Sequence, residues 1–286
     1  MSRGSSAPAG NQPYVNRFAF SILMAAIIAL APASQVRAAD EITAGSITNS
    51  PPMISYASDG TTLQGVIPDL AAALAKHLSH PIKFVPIAFE GIIPALQAGR
   101  IDIAFTLMND TPEREKVLDF VDFYRFSTML LVQKGNPQKI EGIESLCGKS
   151  VSTVRGSTQI ALIDEQNTKC AADHKPAVQN LQYTQPAEAR LQVQNGRVAA
   201  FLGNSPVMVY LAKTAGGGTI FDVVPKTYQP VPVGIALPKT NVALRNELVK
   251  ALQAIIADGT YKKILEKYGV ENGAISEPTV NGAAKG

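Results

Sequence analysis

Past residue 40 the chain switches repeatedly between two hydrophobic periods. Short apolar runs of the kind that form buried strands are separated by stretches whose apolar residues recur three and four positions apart, the helical spacing. The first set predicts strands at 41–47 and 82–86, a helix at 68–78 with Leu70, Ala73, Leu74 and Leu78 on one face, a helix at 91–98 closed by Gly99, and strands at 101–107 and 126–132. The second set predicts strands at 150–154, 178–183 and 198–202, each followed by a helix, at 157–173, 187–195 and 206–215. A strand at 231–237 and a helical stretch from Val242 to Tyr268 complete the pattern.

Strands alternating with helices favour α/β layers with largely parallel sheets. The second set repeats the first, and one local echo is visible. Gln97-Ala98-Gly99-Arg100-Ile101 aligns with Gln194-Asn195-Gly196-Arg197-Val198, each a helix end closed by glycine and followed by an apolar strand. Two lobes are therefore expected, a two-lobed clamp with 40–132 plus 233–273 in lobe 1 and 133–232 in lobe 2. If the last helices return to lobe 1, two strands, near Met129–Gln133 and Pro230–Gly234, cross between the lobes as hinge strands. Residues 274–286, small and aperiodic, read as a flexible tail.

Residues 1–39 differ from all that follows. Arg3 and Arg17 precede an apolar run from Phe18 to Ala31, about 14 residues against the roughly 20 a membrane-spanning helix needs. Val36-Arg37-Ala38-Ala39 then supplies small residues at the spacing a signal peptidase reads, so a cleaved signal peptide and a periplasmic destination are expected. No cysteine stands there to carry a lipid. Removing three arginines leaves 26 − 3 = 23 basic against 23 acidic residues. A near-neutral chain without a basic stripe argues against nucleic acid as a partner. In an oxidising compartment Cys147 and Cys170 read as a disulfide. His77, His80 and His174 read as solvated, and no metal or other cofactor is expected.

The chemistry concentrates where the strand ending at Phe105-Thr106-Leu107 runs through Asn109 into Thr111-Pro112-Glu113-Arg114. Thr111 suits an N-cap and Pro112 the first helical position. Arg114 then sits in a first turn, whose dipole favours anions over cations. Such an arginine either anchors a carboxylate at the end of a strand or pairs with Glu113, Glu115 or Asp119. In the second set, strand 151–154 ends at Arg155-Gly156-Ser157-Thr158, where hydroxyls and amides gather at a helix start. That turn is equally readable as structural.

These residues also carry a family resemblance. Pro51-Pro52-Met53, Asp59-Gly60, Gly65-Val66-Ile67-Pro68-Asp69-Leu70, Phe89-Glu90-Gly91 through Gly99, Thr111-Pro112-Glu113-Arg114, Gly148-Lys149-Ser150-Val151 leading to Gly156-Ser157-Thr158, and Asp258-Gly259-Thr260-Tyr261 occur in order. In this combination the chain resembles the amino-acid-binding branch (family 3 type) of the periplasmic solute-binding proteins that serve ABC importers. The resemblance implies a ligand carboxylate held by Arg114, by hydroxyl and amide groups at Thr106 and Asn109, and by the Thr158 amide; from the turn at the start of the next helix Ser157 is a further candidate. It further implies a membrane permease of an ABC transporter as partner, a monomer, and no enzymatic activity.

Two positions depart from the family pattern. Ser50 stands where an aromatic residue often precedes the Pro-Pro pair, and Asn204 where an aspartate commonly accepts the α-ammonium. An ammonium facing a neutral amide loses a charge-assisted bond, about 1 kcal/mol. The ligand is thus an amino acid with Glu90 supplying the missing charge, an amine-free acid, or a derivatised amino acid. Tyr56 and Phe89 are candidates for covering its body. A periplasmic dehydratase on the same scaffold, with Glu90 as acid or base, and a ligand-sensing module are the alternative functions.

Overall fold

The computed structural model describes residues 41–78 and 80–285, so the expected signal peptide and cleavage site lie outside the described residues. The first half contains β1 (Ile42–Ser46), a side sheet of β2 (Asn49–Ser50), β3 (Ile54–Tyr56) and β4 (Leu63–Gln64), helix α1 (Val66–Ala75), β5 (Ile82–Pro86), α2 (Ile92–Gln97), β6 (Ile103–Ala104) and the short α3 (Pro112–Glu115). A long strand, β7 (Leu118–Gln133), leads into the second half, made of β8 (Ser150–Val154), α4 (Gln159–Ala172), β9 (Gln179–Tyr183), α5 (Pro186–Gln194), β10 (Ala200–Asn204) and α6 (Ser205–Thr214). A second long strand, β11 (Phe221–Pro238), returns to α7 (Val242–Ala257), α8 (Thr260–Tyr268) and β12 (Thr279–Val280).

The sheet order, β5-β1-β6-β11-β7-β10-β8-β9, contains the same unit twice. In the first half β5, β1 and β6 run parallel, and β6 meets β11 antiparallel through Ala104 and Ala236. In the second half β9, β8 and β10 run parallel, and β10 meets β7 antiparallel, from Phe201 opposite Leu131 to Asn204 opposite Thr128. The two long strands exchange roles between the halves while pairing with each other. The sequence echo falls on equivalent places. Gly99 and Gly196, at φ +63° and +68°, end α2 and α5 in the left-handed conformation that only glycine adopts without strain, and β6 and β10 follow.

Both long strands exceed what the hydrophobic pattern predicts. In β7 the extension 118–125 carries Asp119 and Asp122, which interrupt the apolar run yet are buried. Asp119 accepts from Arg245 Nη1 at 2.7 Å and from Asn281 Nδ2 at 3.0 Å, and Asp122 accepts from Thr279 Oγ1 at 2.8 Å. In β11 the extension contains Pro225, Lys226 and Pro230, and its pairing with β7 shifts register between Val224 and Val231. Proline cannot donate to a ladder, so this stretch is bent rather than regular.

The C-terminal segment corrects the expectation of a flexible tail at 274–286. Thr279 and Val280 add a strand against Asp122 and Val121, and Phe120 N donates to Asn281 Oδ1 at 2.8 Å. Gly282 N donates to Asp122 Oδ2, and Ala283 N to Asp110 Oδ2 and Glu115 Oε1. The buried acids of β7 are thus the reason the segment docks. Burial and the nearby charges of Asp122 and Glu115 raise Asp110 to about 8, and burial also raises Asp122.

Helices α7 and α8 pack on α1, burying Leu248, Leu252 and Leu265 in the same core as Leu70 and Leu74, so the last helices do return to the first half. A second cluster around Leu130, Val151, Ile163 and Cys170 fills the second half. Cys147 and Cys170 form a disulfide there, Sγ–Sγ 1.99 Å, in line with the sequence reading.

Candidate functional site

Arg114 is positioned as its motif requires. Thr111 caps α3 by accepting the Arg114 backbone N–H on its Oγ1 at 3.3 Å, and Pro112 occupies the first turn. The side chain then reaches back: Nη1 donates to the Asn109 carbonyl at 2.8 Å and Nη2 to the Gly156 carbonyl at 3.1 Å, in the opposite half. The guanidinium lies 5.5 Å from the centre of the Phe89 ring. Burial lowers its pKa to about 10, against the opposing pull of Asp110, so it stays charged at neutral pH. Two of its five N–H donors are engaged by these carbonyls.

Gly156 holds φ +76° in the turn after β8, directing its carbonyl toward Arg114. Three further contacts join the halves around the same opening. Thr158 Oγ1 donates to Asn109 Oδ1 at 3.2 Å, Asn49 Nδ2 donates to Gln185 Oε1 at 3.1 Å, and Arg155 Nε lies 3.3 Å from Glu90 Oε2. Behind them lies a cleft with about 570 Å³ of empty space, part of it open to solvent. Asn49, Ser50, Phe89, Leu107 and Asn109 line it from the first half, and Val154, Ser157, Gln159, Arg190 and Asn204 from the second, with Phe201, Val207 and Met208 adding an apolar wall.

Of the sequence candidates, Ser50, Phe89, Asn109, Ser157 and Asn204 lie on the cleft wall. Arg114 and Thr158 border it through their bonds to Asn109. Thr106 is fully buried on the segment between β6 and α3, and its Oγ1 has no partner among the described residues; the same holds for Ser157 Oγ and Asn49 Oδ1. Thr106 does not line the cleft, whereas Asn49 and Ser157 do; buried polar atoms are nearly always paired, so these two orphans on the wall mark where a polar solute belongs.

Two candidates are corrected. Tyr56 is 39% exposed on the side sheet and does not line the cleft. Glu90 is taken up by Arg155 at the rim, so its charge is neutralised outside the cavity.

Asn204 is on the wall, but its Oδ1 already accepts from Gln159 Nε2 at 3.2 Å, which also donates to Thr128 Oγ1 at 3.0 Å. Among the described residues neither aspartate, glutamate nor histidine lines the cleft. The residue that sequence reasoning passed over is Arg190. Pro186, Ala189 and Val193, the buried positions of α5, stand at −4, −1 and +3 relative to it, which places Arg190 on the inward face of the helix. A cation on an otherwise apolar helix face was the available signal.

The comparisons agree with this architecture. The model of the bacterial extracellular solute-binding proteins, family 3, matches residues 42–271. The chain is 31% identical over 253 residues to the putative ABC transporter arginine-binding protein 2 of Escherichia coli (strain K12), across 86% of this chain and 98% of that protein. Among solved structures, an ancestral arginine-binding protein bound to glutamine superposes with a TM-score of 0.72 at 34% identity, over 81% of this chain and 98% of that one. An ancestral amino acid-binding protein, a precursor of cyclohexadienyl dehydratase, does so with a TM-score of 0.70 at 33% identity, over 80% of this chain and 95% of that one. A match across both halves, at this identity and coverage, makes the chain a member of the bacterial extracellular solute-binding proteins, family 3.

Proposed function

We propose that the protein captures a small carboxylate-bearing solute, an amino acid or a related compound, in the cleft between its halves and delivers it to the membrane permease of an ABC importer. The observation that carries this reading is the Arg114 guanidinium, held by carbonyls from both halves beside the orphaned Ser157 hydroxyl. A carboxylate there accepts from the remaining guanidinium N–H groups in the planar fork geometry that suits the two partners. Thr106 and Ser157 hydroxyls, the Asn109 amide and the Thr158 backbone N–H complete its coordination, and Phe89 covers the ligand's body.

Residues 40–132 with 233–273 and residues 133–232 act as two lobes, with β7 and β11 as hinge strands. The contacts Arg114–Gly156, Asn109–Thr158 and Glu90–Arg155 span the cleft and are the bonds that closure would make. The apolar run from Phe18 to Ala31 directs export, after which the signal is cleaved near Ala39 and the protein works in the periplasm as a monomer.

Binding without catalysis is favoured by the cleft wall. Proton transfer to or from a ligand needs a positioned acid or base, and among the described residues the wall carries neither carboxyl nor imidazole. The test is a thermal-shift panel of carboxylic acids, amino acids and their methyl esters, with mass analysis of the recovered solute. A carboxylate present at about 100 times its dissociation constant stabilises by about 2.7 kcal/mol, and its ester gives no shift. Equal shifts from acid and ester, or an altered solute, would contradict the proposal.

A further inference from the structure

We infer that the cleft selects an ammonium-free dicarboxylic acid with an apolar body, one carboxylate on Arg114 and the other on Arg190. This rests on the carboxylate-binding reading above and goes beyond it by assigning the opposite end of the ligand.

Arg190 projects from the inward face of α5 into the same cleft, in the half opposite α3. Among the described residues its guanidinium has neither an ion-pair partner nor a hydrogen-bond acceptor. The cations near it in the site are otherwise answered: Arg155 is paired with Glu90, and Arg114 bonds two carbonyls. Burial lowers the Arg190 pKa, and among the described residues no ion-pair partner opposes it. Long side chains often lay an apolar stem along a surface and keep the head in water. Arg190 instead shares its helix face with buried Ala189 and Val193, and it lines a cavity whose wall, among the described residues, contains no carboxylate. A half-desolvated guanidinium without a counter-ion costs free energy that an anionic ligand group recovers.

The same wall disfavours an ammonium. Asn204 is neutral: an ammonium there would share the amide oxygen that already accepts from Gln159 and would meet no carboxylate, while the Asn204 N–H groups have no acceptor among the described residues. Those N–H groups, the Ser157 hydroxyl and two guanidiniums together form a donor-rich, positively charged lining. Phe89, Leu107, Val154 and Met208 give the same lining an apolar part.

The test compares three probes on one skeleton by calorimetry: benzylsuccinate, which carries two carboxylates; 4-phenylbutanoate, which lacks one of them; and 3-amino-4-phenylbutanoate, which has an ammonium in its place. L-arginine and L-glutamine are titrated alongside, and glutarate and adipate cover shorter and unbranched diacids. On the mature protein the diacids are expected to bind at least about tenfold tighter than the monoacid, as a charge-assisted pair provides. Arg190→Gln brings the diacids down to the level of the monoacid and leaves the monoacid unchanged, whereas Arg190→Lys restores part of the difference. Thermal unfolding of each ligand-free variant checks that it is folded.

The inference is overturned, with the carboxylate reading intact, if the amino acids bind best, or if Arg190→Gln weakens monoacid and diacid equally. Silence from every probe, the two L-amino acids included, overturns both.

Discussion

Gln159 Nε2 donates to Asn204 Oδ1 at 3.2 Å, so the neutral amide at the end of β10 already shares its oxygen with the protein wall. An aspartate at this position could take the same bond and still present a negative charge. Asn204→Asp is therefore expected to tighten the binding of L-amino acids by about tenfold, the worth of one charge-assisted bond over a neutral one, and to weaken ammonium-free acids through repulsion. Titration of both ligand classes into the variant checks this. A loss for the amino acids would show that their ammonium does not reach residue 204.

The rim pair Glu90–Arg155 is a different kind of contact. Its side chains are 33% and 53% exposed, and ion pairs of that exposure contribute about 0–1 kcal/mol. Glu90→Gln should lower ligand affinity less than about fivefold. Most of that difference should vanish at high salt, where exposed charges are screened. Binding measured at low and high ionic strength separates this role from direct ligand contact, which would give a larger, salt-resistant loss.

Asp110 offers a pH signature. Burial and the charges of Asp122 and Glu115 hold it at about 8 in the folded protein, against about 4 in the unfolded chain. The folded state therefore keeps a proton that the unfolded state has released across that window, and stability falls as pH rises through it. One proton sets a ceiling of about 1.4 kcal/mol per pH unit. Asp110→Asn should flatten the profile between pH 5 and 8, as read by urea unfolding. An unchanged slope would mean that Asp110 does not carry the linkage.

Replacing both cysteines, Cys147→Ser with Cys170→Ser, should cost about 3 kcal/mol of stability, given a sequence separation of 23. Ligand affinity should survive, because α4 carries Gln159 at its start and Cys170 about 16 Å further along. Denaturant titration together with calorimetry distinguishes a scaffold effect from damage to the cleft.

How much of this was legible in the chain depended on where local chemistry and tertiary context agreed. Thr111-Pro112 specified the start of α3, and Gly99 and Gly196 ended α2 and α5, because capping and left-handed turns are decided by adjacent residues. The first part of β7 was hidden by Asp119 and Asp122, whose burial depends on Arg245 and Thr279, more than a hundred residues away. The docking of 279–283 was hidden for the same reason. Tyr56 and Glu90 failed as cleft residues because a residue beside a motif can still point outward or find a charge partner at the rim. Arg190 could have been found from its helix face, but no motif drew attention to it.

Calorimetric titration of the mature protein and of Arg114→Ala with the tightest-binding carboxylate tests the central claim most directly. Losing the guanidinium should weaken binding by at least about a hundredfold, as removal of one partner of a buried charge pair does, and thermal unfolding of the ligand-free variant, lowered by loss of the bonds to Asn109 and Gly156, checks that it is still folded. An affinity within a few fold of the unsubstituted protein would contradict the assignment of Arg114 as the carboxylate anchor.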